Sequence, residues 1–148
     1  MKTFENELVN DLNDFLANMQ IFYQNLRGLH WNIKGPQFFV LHGKFESYYD
    51  QAAEWVDEVA ERILTVGGTP VHAFSDYIKI SEIKEVKNVS EGNAAVMEVK
   101  DSFELLLEKM YKIQAKASEN GDEGTNGLFS GFISNTEKTL WMLKAYLG

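Results

Sequence analysis

Apolar residues recur every three or four positions along four long stretches of this chain, which is the period of an α-helix with one buried face. The predicted helices have these bounds: Phe4 to about Ile33, about Phe38 to Val66, roughly 92–119, and about Thr125 to Tyr146. Glycine and proline end helices, and they mark breaks at Gly35-Pro36 and at Gly67-Gly68-Thr69-Pro70. The third break is the polar run 120–124. Four long amphipathic helices predict an all-α bundle.

The connections between these helices favour one topology over another. The first and last are short, but residues 71–90 form a longer connection, in which Ser75–Ile80 has the pattern of a short helix. One long crossover is typical of ferritin-like four-helix bundles, whereas a cytokine-like bundle needs two. No domain boundary or repeat is evident, so we expect a single ferritin-like domain over residues 1–148.

Composition limits the cellular compartment and the binding partners that we expect for the chain. It has no cysteine, which excludes disulfides and thiolate metal sites and is compatible with a reducing cytoplasm. It has no apolar run of about 18 residues and no basic-then-apolar start, so we expect neither a membrane span nor a signal peptide. The net charge of −8 repels nucleic acid and attracts cations, although solubility alone would also account for it.

Residues of the types that bind metals lie on the first two predicted helices. His30 is near the end of the first, His42 is early in the second, and Glu46 shares the face of His42 one turn later. Asp57 and Glu61 also share a face. Imidazole and carboxylate together suit iron, manganese or zinc. The alternative stays open, because carboxylates on an amphipathic helix usually form a solvated face and a histidine at a helix end is often a packing residue.

Spacing decides how such a metal site is assembled. The chain has no Glu-x-x-His motif, so a complete di-iron site inside one bundle is not expected. Asp57 lies fifteen residues beyond His42, which is more than about 20 Å along a helix. One chain cannot close a compact site over that distance. Two antiparallel chains around a two-fold axis can, because each pairs its histidines with the carboxylates of the other.

Five segments carry a resemblance to a known family. They are Leu29–Phe39, Leu41-His42, Asp57–Leu64, Gly67–Pro70 and Trp141–Leu147. In order and spacing they resemble the Dps family, which is named for the DNA-binding protein from starved cells. The resemblance extends over essentially the whole chain. It implies a shell of twelve subunits with ferroxidase centres at two-fold interfaces.

The resemblance also implies roles for individual residues. His30, His42 and Glu46 would bind metal from one subunit, and Asp57 and Glu61 from its partner. Position 46 is commonly aspartate in the family, so Glu46 adds a methylene. Trp31 matches an aromatic residue beside the centre, where either electron transfer or simple packing would explain it.

The activity implied by the resemblance is that of an iron-storage mini-ferritin, with iron as the metal and no haem. Such a protein oxidises Fe²⁺ as a ferroxidase, with hydrogen peroxide preferred over dioxygen, and stores the ferric mineral in its hollow shell. This removes peroxide without forming hydroxyl radicals and so protects against oxidative stress. The methionines are interpreted as core residues rather than haem ligands.

Two departures from the family pattern concern iron uptake and mineral formation. Asp122 and Glu123 are candidates for the acidic pore at the three-fold axes, but Gly127 stands where relatives often carry an acid. Gly43 likewise replaces an acid beside the second histidine. We expect a less negative pore, slower uptake and weaker mineral nucleation.

DNA binding in some members of this family depends on a lysine-rich tail. Here the first helix is predicted to begin near Phe4, with only Lys2 ahead of it, and the subunit is acidic. We therefore expect no strong DNA binding. The alternative is a shell that mainly compacts DNA or recognises a partner, with iron chemistry secondary.

Overall fold

The computed structural model describes residues 6–148, which form five helices and no strand. The helices are α1 (Asn6–Asn32), α2 (Phe38–Thr65), α3 (Phe74–Ile80), α4 (Gly92–Glu119) and α5 (Glu123–Leu147). The four long helices form the bundle, and the short α3 lies in the connection between α2 and α4. The predicted four-helix bundle with one long crossover is confirmed. None of the helices in the described range is long and apolar enough to cross a membrane.

The helix ends follow from local hydrogen bonds. The α2 helix ends where Gly67 turns with a φ of 94° and the Gly68 N–H donates to the carbonyl of Ile63 at 2.9 Å. The α5 helix begins two residues earlier than predicted, because the side chain of Asp122 accepts a hydrogen bond from the Thr125 N–H and caps it. The predicted start of the first helix at Phe4, and Lys2 ahead of it, lie outside the described residues.

Aromatic side chains from three helices meet in the core. Phe15 of α1 lies 5.1 Å from Phe129 and 6.2 Å from Phe132 between ring centroids, and Phe132 stacks on Trp55 of α2 at 4.2 Å. These contacts tie α5 to the α1–α2 pair. Phe129 is fully buried in this core, whereas Leu64, near the end of α2, is exposed.

Three asparagines on α1 hold the long crossover against the bundle. Asn18 is fully buried, and its side-chain oxygen accepts hydrogen bonds from the backbone of Glu82 and Ile83, each at 3.0 Å. Asn25 bonds the backbone of residues 84 and 86, and Asn13 bonds residues 69 and 71. The crossover has few backbone partners of its own, so these amides supply them.

Candidate metal centre

The two histidines on the first two helices form a reciprocal pair. His30 is in the last turn of α1, and its Nδ1 lies 2.6 Å from the carbonyl oxygen of His42. The Nδ1 of His42 lies 2.8 Å from the carbonyl oxygen of His30. That carbonyl is free to accept because the Lys34 N–H, which would continue the helix, donates to Ser90 instead. The two rings stack with centroids 3.7 Å apart.

This pairing fixes which nitrogen of each ring carries hydrogen. A carbonyl oxygen only accepts hydrogen bonds, so each Nδ1 must donate. Each neutral imidazole then has its lone pair on Nε2, the atom that can bind a metal. The Nε2 of His30 lies 3.6 Å from a carboxylate oxygen of Glu46, although His30 itself is only 6% exposed. Imidazole nitrogen and carboxylate oxygen thus meet at one edge of the subunit.

Aromatic residues surround the two imidazoles. Phe38 stacks on His42 with centroids 4.8 Å apart, and Tyr49 meets His30 edge-on at 5.3 Å. Burial, and after it the carboxylates of Glu46 and Asp50, raise the pKa of the Tyr49 phenol. Tyr49 is therefore neutral beside the histidines. Neither aromatic residue was predicted to be near the site, although Phe38 lies one helical turn before His42.

Trp31 lies on the surface of the subunit. It follows His30 in the chain, is 55% exposed, and has the guanidinium of Arg27 at 4.9 Å from its ring centroid. Core packing within the subunit therefore does not account for Trp31.

Asp57 and Glu61 lie on α2, the helix that also carries His42, but far along it from that histidine. Both are exposed, and the ion pairs within residues 6–148 leave both carboxylates unpaired. Burial raises the pKa of the adjacent Glu58, and the carboxylates of Glu54, Asp57 and Glu61 raise it further. This end of α2 therefore carries a cluster of carboxylates.

The structure thus separates the five predicted ligands into two groups. His30, His42 and Glu46 lie at one end of α2, and Asp57 and Glu61 lie fifteen residues beyond His42, a distance of about 22 Å along a helix. Within the described part of the chain, no three histidine, aspartate or glutamate side chains converge to hold a metal ion.

The two pore candidates have different environments. Asp122 is 1% exposed, and its carboxylate accepts a hydrogen bond from the Arg62 guanidinium at 2.7 Å as well as from the Thr125 N–H. It caps α5 and links it to α2, so its placement does not fit a pore lining. Glu123 is exposed in the first turn of α5 and remains the candidate.

Replacing Asp122 with asparagine is expected to lower the free energy of unfolding by about 2 kcal/mol, because the amide oxygen can still accept from Arg62 but the carboxylate charge that strengthens this bond is lost. Glu123→Gln, on the neighbouring exposed residue, is the matched control and should stay within about 0.5 kcal/mol of wild type. Urea unfolding at one fixed subunit concentration measures the free energy of unfolding of both variants. A stable Asp122→Asn protein that takes up iron slowly would restore Asp122 as a pore residue.

Comparison with known proteins identifies relatives of this chain. Residues 9–148 match the ferritin-like domain family. The DNA protection during starvation protein of Porphyromonas gingivalis is 45% identical, covering 94% of this chain and 87% of that protein. The crystal structure of a Dps protein from Vibrio cholerae, described as a ferritin-like diiron-carboxylate protein, superimposes with a TM-score of 0.96. It is 44% identical and covers 100% of this chain and 98% of that chain.

A third relative is a Listeria innocua Dps mutant in which two histidines, twelve residues apart in its sequence, are replaced by glycine. Its structure superimposes with a TM-score of 0.92 at 27% identity, covering 95% of this chain and 94% of that one. The fold and these matches define a ferritin-like protein. Within that class, the chain belongs to the Dps family.

Proposed function

We propose that this chain is the subunit of a Dps-type mini-ferritin, which oxidises Fe²⁺ at centres shared by two subunits and stores the ferric product as a mineral. The observation that carries the proposal is the reciprocal histidine pair. Its hydrogen bonds leave the Nε2 lone pairs of His30 and His42 free, with Glu46 beside His30.

The division of the ligands along α2 supports a shared centre. His42 and Glu46, with His30 of α1 beside them, lie near the start of α2, and Asp57 and Glu61 lie near its end. When two copies of the helix run antiparallel across a two-fold axis, each end faces the opposite end of the partner. The two centres so formed each take His30, His42 and Glu46 from one subunit and Asp57 and Glu61 from the other. We propose that six such pairs build the twelve-subunit shell that family membership suggests.

The chemistry of the donors suits Fe²⁺ as the substrate. Imidazole nitrogen and carboxylate oxygen are ligands that iron accepts, and the carboxylate charge stabilises Fe³⁺ more than Fe²⁺. Hydrogen peroxide takes one electron from each of two Fe²⁺ ions, its O–O bond breaks, and two protons complete two water molecules. No hydroxyl radical is released when both electrons are delivered together. We propose peroxide, rather than dioxygen, as the preferred oxidant.

The assay loads the purified protein with Fe²⁺ without oxygen, adds stoichiometric peroxide, and follows ferric absorbance. Iron that co-elutes with a large assembly on sizing would support storage. An assembled shell in which iron oxidises no faster than in buffer would mean that this fold serves another function.

Iron uptake should depend on charge near the start of α5. Glu123 and Gly127 are four residues apart and share one face of that helix. A Cβ atom added at Gly127 would meet no atom within 4 Å, so the position has room for a side chain to begin. Gly127→Asp should raise the initial rate of peroxide-dependent Fe²⁺ oxidation about two- to tenfold at low salt. Gly127→Asn, of equal size and no charge, is the control. Equal rates in the two variants would contradict the pore proposal.

DNA compaction is the second candidate function, since relatives are named for DNA protection. The net charge of −8 opposes it, because a phosphate backbone is attracted by clustered basic residues and repelled by an acidic surface. We expect no retardation of plasmid DNA in a gel at moderate salt. A retarded band that disappears as salt is raised would contradict this expectation.

A further inference from the structure

Three aromatic rings form a continuous stack at the histidine pair. The ring of His42 is the middle member, with His30 on one side at 3.7 Å and Phe38 at 4.8 Å between centroids. The interplanar angles are 15° and 22°, so the three rings are nearly parallel. His42 therefore has aromatic contacts with both neighbours in the stack.

Backbone and core contacts fix Phe38 at the start of α2. It is the first residue of α2, and its N–H donates to the carbonyl of Gly35 at 3.1 Å. Gly35 has a φ of 106°, a backbone conformation that favours glycine. The turn before α2 thus fixes the backbone of Phe38, and its side chain packs partly buried against the core.

The two histidines differ in how much the rest of the bundle restrains them. His30 is buried and also meets Tyr49 edge-on, whereas His42 is only half-buried. A single hydrogen bond, from its Nδ1 to the carbonyl of His30, fixes the rotation of the His42 ring. If that ring turned over, the bond would be lost and Nε2 would point elsewhere. The stack with Phe38 and His30 opposes that rotation.

We propose that Phe38 is a positioning residue of the metal centre, which keeps the ring of His42 aligned so that its Nε2 is ready to bind before the metal arrives. This inference rests on the proposed function, because it takes the two Nε2 atoms as metal ligands. Residues that orient a metal-binding histidine without touching the metal commonly change affinity by about 10–100-fold.

The test uses the assembled protein and Co²⁺ as the probe, titrated without oxygen and followed by calorimetry and by the visible ligand-field spectrum. Phe38→Leu keeps an apolar side chain but removes the ring. It should weaken Co²⁺ binding at least about tenfold and change the spectrum. Phe38→Tyr keeps the stacking ring and should restore both affinity and spectrum. A purely structural role would lower the melting temperature and leave the spectrum of bound Co²⁺ unchanged.

Wild-type Co²⁺ affinity and spectrum in Phe38→Leu would overturn the proposal. His42→Ala in the same titration separates this failure from a failure of the proposed function. Weakened binding in His42→Ala, with none in Phe38→Leu, would reject only the positioning role. Unchanged binding in His42→Ala would reject the histidine centre itself. Sizing precedes each titration, and Phe38→Met takes the place of Phe38→Leu if the latter does not assemble.

Discussion

Replacing His30 with alanine is expected to slow peroxide-dependent Fe²⁺ oxidation by at least about 100-fold, while the shell still assembles. The substitution removes one imidazole ligand and also the hydrogen bond that His30 donates to the carbonyl of His42. Both effects weaken metal binding at the same centre. Initial rates of ferric absorbance, measured at equal subunit concentration, test the expectation.

His72 provides the matched control. It lies exposed in the crossover, where its Nδ1 bonds the carbonyl of Pro70 at 3.0 Å, and it takes no part in the proposed centre. His72→Ala should therefore oxidise Fe²⁺ at the wild-type rate. Equal losses in the His30 and His72 variants would show that the assay reports general damage, and a fully active His30→Ala protein would remove His30 from the centre.

The largest effect on stability is expected from Asn18→Leu. The leucine leaves the backbone N–H groups of Glu82 and Ile83 without their acceptor, and Ile83 is buried. Each buried donor left unpaired costs about 1–3 kcal/mol, so we expect a loss of about 3 kcal/mol in the free energy of unfolding. Faster amide exchange at these two residues would locate the damage in the crossover.

Asn13→Leu is the control for that substitution. Asn13 also accepts a hydrogen bond from a backbone N–H, that of Val71, and it donates to the carbonyl of Thr69. Thr69 is exposed and Val71 is only partly buried, so water replaces the lost partner. Asn13→Leu should lower the free energy of unfolding by about 1 kcal/mol or less. Urea midpoints at one subunit concentration compare the two, because the stability of an oligomer depends on concentration. Equal losses of stability in Asn18→Leu and Asn13→Leu would show that the burial of the asparagine side chain does not determine the cost of removing it.

The fold was predictable because periodicity locates the helices and glycine and proline mark their ends. The start of α5 was placed two residues late, because the cap formed by Asp122 lies inside a run of polar residues that looks like a loop. The buried role of Asn18 was also missed. A single polar residue beside an apolar stripe does not reveal that it will bind backbone N–H groups 64 and 65 residues later in the chain.

The candidate site was predictable in its residue types and spacing but not in its detail. The distance from His42 to Asp57 follows from the rise of a helix, and α2 is unbroken between them. The reciprocal bonds of the two histidines, and the stacking of Phe38, depend on how α1 and α2 meet, which sequence spacing does not determine. The use of Asp57 and Glu61 as ligands from a partner subunit stays a prediction.

The central claim, that each centre is shared by two subunits, is tested most directly by mixing two inactive variants. His30→Ala and Asp57→Ala subunits are assembled together in equal amounts, and peroxide-dependent Fe²⁺ oxidation is measured. In a mixed pair, one centre carries both substitutions and the other carries neither. About half of randomly formed pairs are mixed, so about one quarter of the wild-type activity should return. No recovery in mixed shells would mean that the histidines and the carboxylate do not act across a subunit interface.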